Sequence, residues 1–292
     1  MCSIGKLSSI SAFETEVDMI AIQELSETAG VFESTLTQLE PILKTFEPVS
    51  LQEMTAVSLM DRIDTKYVMG VSQLLEVLER LSGQYCALTI LGRQLNLYQT
   101  LYFDTGDFDL YHQHHSGFGT RYKVRERKYV GSELTFIEVK HRTNRGRTVK
   151  SRLRIPDIRG RIEGDEWEFV DCHIPFEVAG LEPKLWTEYF RITLVSKSRP
   201  ERVTLDVNLL FRWGERSRTL PGVVIAEVKQ AQVSRDSDFI QVMRALGIRP
   251  GALSKYCTGV AMLYNVKSNT FKPRLRKVNQ VIQKEHGYVA GH

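Results

Sequence analysis

Arg121-Tyr122-Lys123-Val124-Arg125-Glu126-Arg127 is the stretch on which the reading of this chain turns. Side chains alternate faces along a β-strand. In a strand, Arg121, Lys123, Arg125 and Arg127 share one face, and Tyr122, Val124 and Glu126 take the other. The same phase recurs less purely elsewhere. It places Glu138, Lys140 and Arg142 together in FIEVKHR, Tyr189 and Arg191 in TEYFRIT, and Glu227 and Lys229 in VVIAEVKQ. Cations packed on one sheet face repel unless something answers them. The simplest answer is a bound polyanion, with the carboxylates holding a metal.

The rest of the composition is that of an ordinary folded protein. The chain has 292 residues, 42% hydrophobic and 25% charged, enough for a sizeable core in one large domain or two small ones. A net charge of +4 is too mild for a general nucleic-acid binder, but the charge is clustered between Arg121 and Arg161. Four cysteines (Cys2, Cys86, Cys172, Cys257) are far apart with no C-x-x-C spacing, which favours free thiols over zinc. No apolar run approaches the ~20 residues of a membrane span, and the N-terminus lacks the apolar region of a signal peptide. A soluble, cytoplasmic protein is expected.

Taken in order, residues 1–47 form an N-terminal extension, partly disordered and partly helical, its helices broken near Gly30 and Pro41. Thr65–Met69 reads as a strand, with Lys66 facing away from Tyr67, followed by a helix with an apolar stripe (Leu74, Leu75, Val77, Leu78, Leu81) capped by Ser72. YCALTIL and LNLYQTLYFDT read as strands around a Gly92-Arg93 turn. Asp104, Asp107 and Asp109 hint at calcium, but not at EF-hand spacing. His112, His114 and His115 could be a metal cluster or a hydrogen-bonded loop; the loop is the better reading. After strands at 120–130 and 134–142, RTNRGRTVKSRLRI reads as a basic loop. Three more strands follow, with a turn near Arg216–Gly222, then helices from Asp238 and in LSKYCTGVAMLY. The tail 265–292 is basic and expected to be irregular. Strands outnumber helices, and neighbours can pair antiparallel. The expected architecture is α+β: a closed antiparallel β-barrel, a tunnel with a basic, wet interior, flanked by helices.

DTKY around Lys66, YFDT, RYKVR, FIEVK with GRTVKSR, RVTLD, AEVK and LSKYC occur in this order. Together they resemble the VTC domain, the polyphosphate polymerase domain of the triphosphate tunnel metalloenzyme superfamily, over about residues 48–264. The resemblance implies an antiparallel β-tunnel binding nucleoside triphosphate or polyphosphate with a divalent metal, Mn²⁺ or Mg²⁺. It implies that Lys66, Lys123, Arg125 and Arg191 act on the transferring phosphate. Arg121, Lys140, Lys150, Tyr189, Lys229 and Lys255 would line the phosphate path. Glu227 would hold the metal, and strand phase adds Glu138 as a second acid. The E-x-E-x-K signature of the wider superfamily is replaced here by Phe136-x-Glu138-x-Lys140. That argues against the adenylate cyclase and thiamine triphosphatase branches and is compatible with the VTC branch. The eukaryotic domain's SPX module and membrane helices are absent from this sequence, so coupling to transport would need a separate membrane partner.

The implied activity is transfer of the ATP γ-phosphate to a polyphosphate chain. Hydrolysis of triphosphate or polyphosphate, or binding without turnover, is the alternative. RNA ranks last, because Tyr122 falls opposite the cations and single-strand binders interleave aromatics with them.

Overall fold

The computed structural model describes residues 33–56, 63–232, 234–251 and 253–289. The helices expected before residue 33 lie outside the described residues. A first helix, α1 (residues 33–43), runs through Pro41 rather than breaking there, and buries Leu39 and Leu43 in the main core. Then come β1 (Glu47–Val49), α2 (Leu51–Ala56), β2 (Ile63–Gly70), α3 (Val71–Leu81), β3 (Tyr85–Leu88), β4 (Asn96–Asp104), α4 (Asp109–His115), β5 (Arg121–Tyr129) and β6 (Leu134–Arg142). The chain continues through β7 (Thr148–Ile155), α5 (Asp165–Asp171), β8 (Glu182–Ser196), β9 (Glu201–Trp213), β10 (Arg216–Leu220), β11 (Val223–Gln230), α6 (Asp238–Ala245), α7 (Lys255–Leu263) and α8 (Lys272–Val289).

One large sheet dominates, in the order β2-β11-β9-β8-β4-β5-β6-β7, with antiparallel pairing throughout that path. The expected closed barrel is not what the pairing shows. Among the described residues β2 and β7 are edges that do not pair with each other. The free edge of β2 is instead covered by the approach to α7: the Gly251 N–H donates to the Lys66 carbonyl at 2.8 Å, and Pro250 bridges Tyr67. Just beyond, Ser254 accepts a hydrogen bond from Lys123 on β5 at 2.9 Å. The sheet therefore curls far enough for β5 to touch the segment that covers β2. The other edge, β7, pairs only with β6 among the described residues and is largely exposed.

The outer face is apolar and covered twice. Met69, Val203, Leu205, Val224, Ala226 and Val228 pack under α1, α3 and α6, whose own stripe includes Leu74, Val77 and Leu78. Leu101, Phe103, Val124, Ile137 and Val139 pack under α5 and the loops around it. Burying a single Leu or Val side chain is worth roughly 1.5–3 kcal/mol, so these two layers fix the phase of every strand between them. The inner face is split: one sector carries the charged residues, and the other (Leu185, Phe211, Ile225) is packed by Tyr256, Val260 and Leu263 of α7. A wholly basic interior was expected; the greasy half is there because α7 supplies an apolar stripe to fill it.

Several local readings are corrected. The basic loop after residue 142 is in fact strand β7, in which Lys150, Arg152 and Arg154 alternate with Ser151, Leu153 and Ile155. The turn before Gly222 contains β10, a hairpin partner of β9. The basic tail contains α8, an 18-residue helix whose Leu275, Val278, Val281 and Ile282 recur at helical spacing and dock on the core. Ser72 is not the cap of α3 but lies inside it. Its N–H and hydroxyl donate to Glu285 of α8 at 3.1 and 2.6 Å, which puts a carboxylate on the helix's positive end.

Candidate active site

The strand register gathers the charged residues into rows. Arg125 lies opposite Glu138, which lies opposite Arg152; Lys123 lies opposite Lys140, which lies opposite Lys150. Across the sheet, Arg191 lies opposite Asp206, and Glu227 opposite Lys66. These positions share one face because cross-strand neighbours point the same way. Lys66, Lys123, Arg125, Glu138, Lys140, Lys150, Tyr189, Arg191, Glu227 and Lys229 all stand on it, and Lys255 joins from the start of α7.

Three acid-centred clusters hold the cations. Glu138 is fully buried and takes Arg125 at 2.6 and 2.8 Å on one oxygen and Lys150 on the other. Burial works to raise this carboxyl, but Arg125, Arg127 and Lys150 outweigh it and hold it well below the usual range. Asp206, 3% exposed, receives a two-pronged Arg191 guanidinium at 2.6 and 2.8 Å, and Lys255 as well. Its carboxyl is pulled down in the same way, Arg191 and Lys255 overcoming burial. Glu227 contacts Lys66 at 2.7 Å and also Lys229.

Aromatic rings pave the floor between these clusters. Arg191 lies over the rings of Tyr98 and Tyr189, and Lys255 lies 4.2 Å from the Tyr189 centroid. Arg125 donates to the Tyr102 hydroxyl at 3.1 Å. Burial would raise that phenol, yet Arg125, Arg127, Lys123 and Lys255 bring it down to about 8. A face so positive that it acidifies a buried tyrosine favours any anion that reaches it.

Positive charge is in excess. Lys123 has a hydroxyl partner, Ser254, and burial pushes its ammonium down. Lys140 makes no hydrogen bond or ion pair within the described residues; burial, then Lys123, Lys66 and Arg125, press it to about 7. Lys66 of β2 is among the charges that press on Lys140 of β6, in keeping with the curl that brings β5 against the segment covering β2.

Arg121 stands apart from the clusters. It occupies the outer end of β5 and donates to the Phe118 carbonyl at 3.0 Å. Strand phase placed Arg127 on this face without assigning it a role; it donates to Thr100 at 3.1 Å over the Tyr98 ring. Sequence reasoning missed three participants: Tyr98 and Tyr102 on β4, and Asp64 on β2. Asp64 sits two residues before Lys66, on the same face, opposite Lys229; strand phase alone would have found it. Asp206, the aspartate of the RVTLD stretch, is the anchor of Arg191 and Lys255.

The two earlier metal temptations dissolve. Asp104 is buried and accepts the N–H groups of Thr105, Leu110 and Tyr111 at 2.8–2.9 Å together with the Tyr256 hydroxyl, so it caps α4. The three histidines lie on α4 itself, with His115 bound to Asn269 at 2.8 Å. No group of three or more His, Cys, Asp and Glu suited to a metal occurs among the described residues. A divalent ion here would take its remaining ligands from water or from phosphate oxygens of a substrate. Glu227, 21% exposed and held by Lys66 and Lys229, fits such a shared site. Glu138 does not, because a metal would have to displace both Arg125 and Lys150 from a fully buried carboxylate.

The VTC domain family matches residues 61–264. No curated protein matches. Solved structures with similar folds include a Bacillus halodurans protein described as an adenylate cyclase, 13% identical, covering 66% of this chain and 94% of that one, with a TM-score of 0.43. Another is a Hippeastrum protein described as an adenylyl cyclase with dominant triphosphatase activity, 15% identical, covering 70% and 97%, with a TM-score of 0.47. No helix among the described residues is long and apolar enough to cross a membrane.

Proposed function

The chain belongs to the VTC domain family, and on that premise we propose that it is a polyphosphate polymerase-type phosphotransferase, moving the ATP γ-phosphate onto a polyphosphate chain with Mn²⁺ or Mg²⁺. The observation that carries this reading is the row of under-neutralised cations, Lys123 and Lys140 above all, between Arg clusters already fixed by Glu138 and Asp206.

Phosphoryl transfer asks a protein for positioning and charge stabilisation more than for covalent chemistry. Arg125 and Arg191 offer planar forks, pre-oriented by their carboxylates, to non-bridging phosphate oxygens. Lys123 and Lys140 offer compact charges that the phosphate chain would neutralise, and Lys66 offers a third beside Glu227. At an effective dielectric of ~20, each such contact at ~4 Å is worth ~4 kcal/mol, against ~0–1 kcal/mol on an open surface. A bound divalent ion would neutralise charge on the phosphate oxygens, with Glu227 its protein ligand and Asp64 on the same strand pair. Glu138 and Asp206 orient arginines rather than hold metal.

The test is incubation of the purified protein with ATP and Mn²⁺, read as polymer on a gel and as free phosphate. Polymer is the expected product. Phosphate release without polymer moves the same site to hydrolysis, and binding without turnover makes it a polyphosphate or nucleotide receptor. Lys66→Ala, Arg125→Ala and Glu227→Gln are each expected to abolish turnover while the circular dichroism spectrum is retained.

A further inference from the structure

Beyond Lys123 the carboxylates stop but the cations continue. Arg121 and Arg142 are direct cross-strand neighbours on β5 and β6. Like charges directly opposite each other destabilise a sheet, and no carboxylate pairs with either of them among the described residues. Arg274, near the start of α8, leans over the Phe271 ring with its guanidinium 5.6 Å from the centroid. The same ring holds His114 of α4, centroids 6.0 Å apart. The Nδ1 of His114 is buried and has no hydrogen-bond partner. The end of α4 is tied to the start of β5: the Phe118 N–H donates to the Gln113 carbonyl at 3.0 Å, and the Phe118 carbonyl accepts from Arg121 at 3.0 Å. Burial, then the charges of Lys123, Arg121, Arg274 and Arg142, hold the His114 imidazole far below its usual range. The β5–β6 pair and α8 thus bring three guanidinium groups toward a neutral imidazole of α4, and among the described residues no carboxylate pairs with any of the three.

We propose that His114, Arg121, Arg142 and Arg274 form a second polyanion subsite, an outer collar that takes the distal phosphates of a polyphosphate chain whose end lies in the active site. The inference rests on the phosphotransferase site above and adds a preference for long chains. Arg125, Lys123 and Arg121 climb β5 at two-residue steps of about 7 Å. Carboxylate neutralisation falls along that climb, from Glu138 beside Arg125, to Ser254 beside Lys123, to none beside Arg121. A ligand that ends beside Lys123 leaves the collar empty; a longer one fills it. Phe271, the ring at the collar's centre, is buried and offers no face to a nucleobase, which favours bare polyphosphate over RNA.

The experiment compares dissociation constants of tripolyphosphate, long-chain polyphosphate and a 5′-triphosphorylated oligonucleotide, with Mg²⁺, for wild type and the Arg142→Ser/Arg274→Ser double variant. Both side chains are exposed, so the fold is expected to survive, with melting temperature as the check. Wild type is expected to bind the long chain more tightly than tripolyphosphate. The double variant is expected to lose about tenfold on the long chain and to flatten its salt dependence, while tripolyphosphate stays within about twofold. Equal losses on both ligands, or none on either, overturn the collar. So does an oligonucleotide that loses as much as the long chain, since this would make the collar a nucleic-acid surface. Wild type binding tripolyphosphate but gaining nothing with length overturns the collar and leaves the phosphotransferase reading standing; wild type binding no polyphosphate at all overturns that reading instead.

Discussion

Asp206 shows how one buried acid can be both scaffold and electrostatic device. It fixes Arg191 and Lys255 over the tyrosine floor, and its removal leaves two cations with no partner. Breaking a buried pair by deleting one side costs roughly 3–5 kcal/mol, so Asp206→Ala is expected to lower stability by about that much in a denaturant titration. Lys140 gives the opposite sign. Its ammonium titrates near 7 in the folded protein against the usual 10.5. Between those pH values the unfolded chain holds more protons, so this residue's contribution to stability rises with pH across that window. A bound phosphate chain restores the charge on Lys140. Binding is therefore expected to take up a proton above pH 7 and to weaken as pH rises toward 9, with Lys140→Met removing that uptake. Calorimetry in buffers of different ionisation enthalpy counts the proton directly; an uptake unchanged in the variant would assign it elsewhere.

At the scale of elements, α7 is fitted into the sheet's inner face with no slack. A methyl group at Gly259 would stand 2.6 Å from Leu185 and 2.8 Å from Phe211. Gly259→Ala is expected to cost about 1–3 kcal/mol by overpacking, read as a lower melting temperature. The sequence made the charged strands legible because a period of two survives in RYKVRER and FIEVKHR whatever the charges do. It hid β7 because Ser151 interrupts the apolar alternation of Val149, Leu153 and Ile155 in a run dense in arginine. It hid α8 because Leu275, Val278, Val281 and Ile282 are a thin stripe in a basic segment. The partition of the inner face was not legible either: which half α7 fills depends on where the chain returns, and no local pattern records that. The rows of site residues could be read from strand phase, whereas the pairing of Arg191 with Asp206 depended on a register that only the fold sets.

Seen whole, the protein gathers its charge on one sector of the sheet's inner face, with apolar layers on the outer face and on the α7 sector, so a polyanion should act on it as a missing structural part. Ligand at a hundredfold excess over its dissociation constant stabilises a fold by ~2.7 kcal/mol. Tripolyphosphate is expected to raise the melting temperature of the wild type by several degrees, and Arg125→Ala to lose most of that shift; an equal shift in the variant would place the ligand elsewhere. The bare rim of β7 then acquires a further meaning. A free strand edge invites another copy to dock by backbone pairing, and clustered lysine and arginine are a common deterrent. Here Lys150, Arg152 and Arg154 stand along that rim. A saturating polymer would cancel their mutual repulsion between molecules, so light scattering is expected to rise when long chains are in excess, and to fall again when salt strips them away.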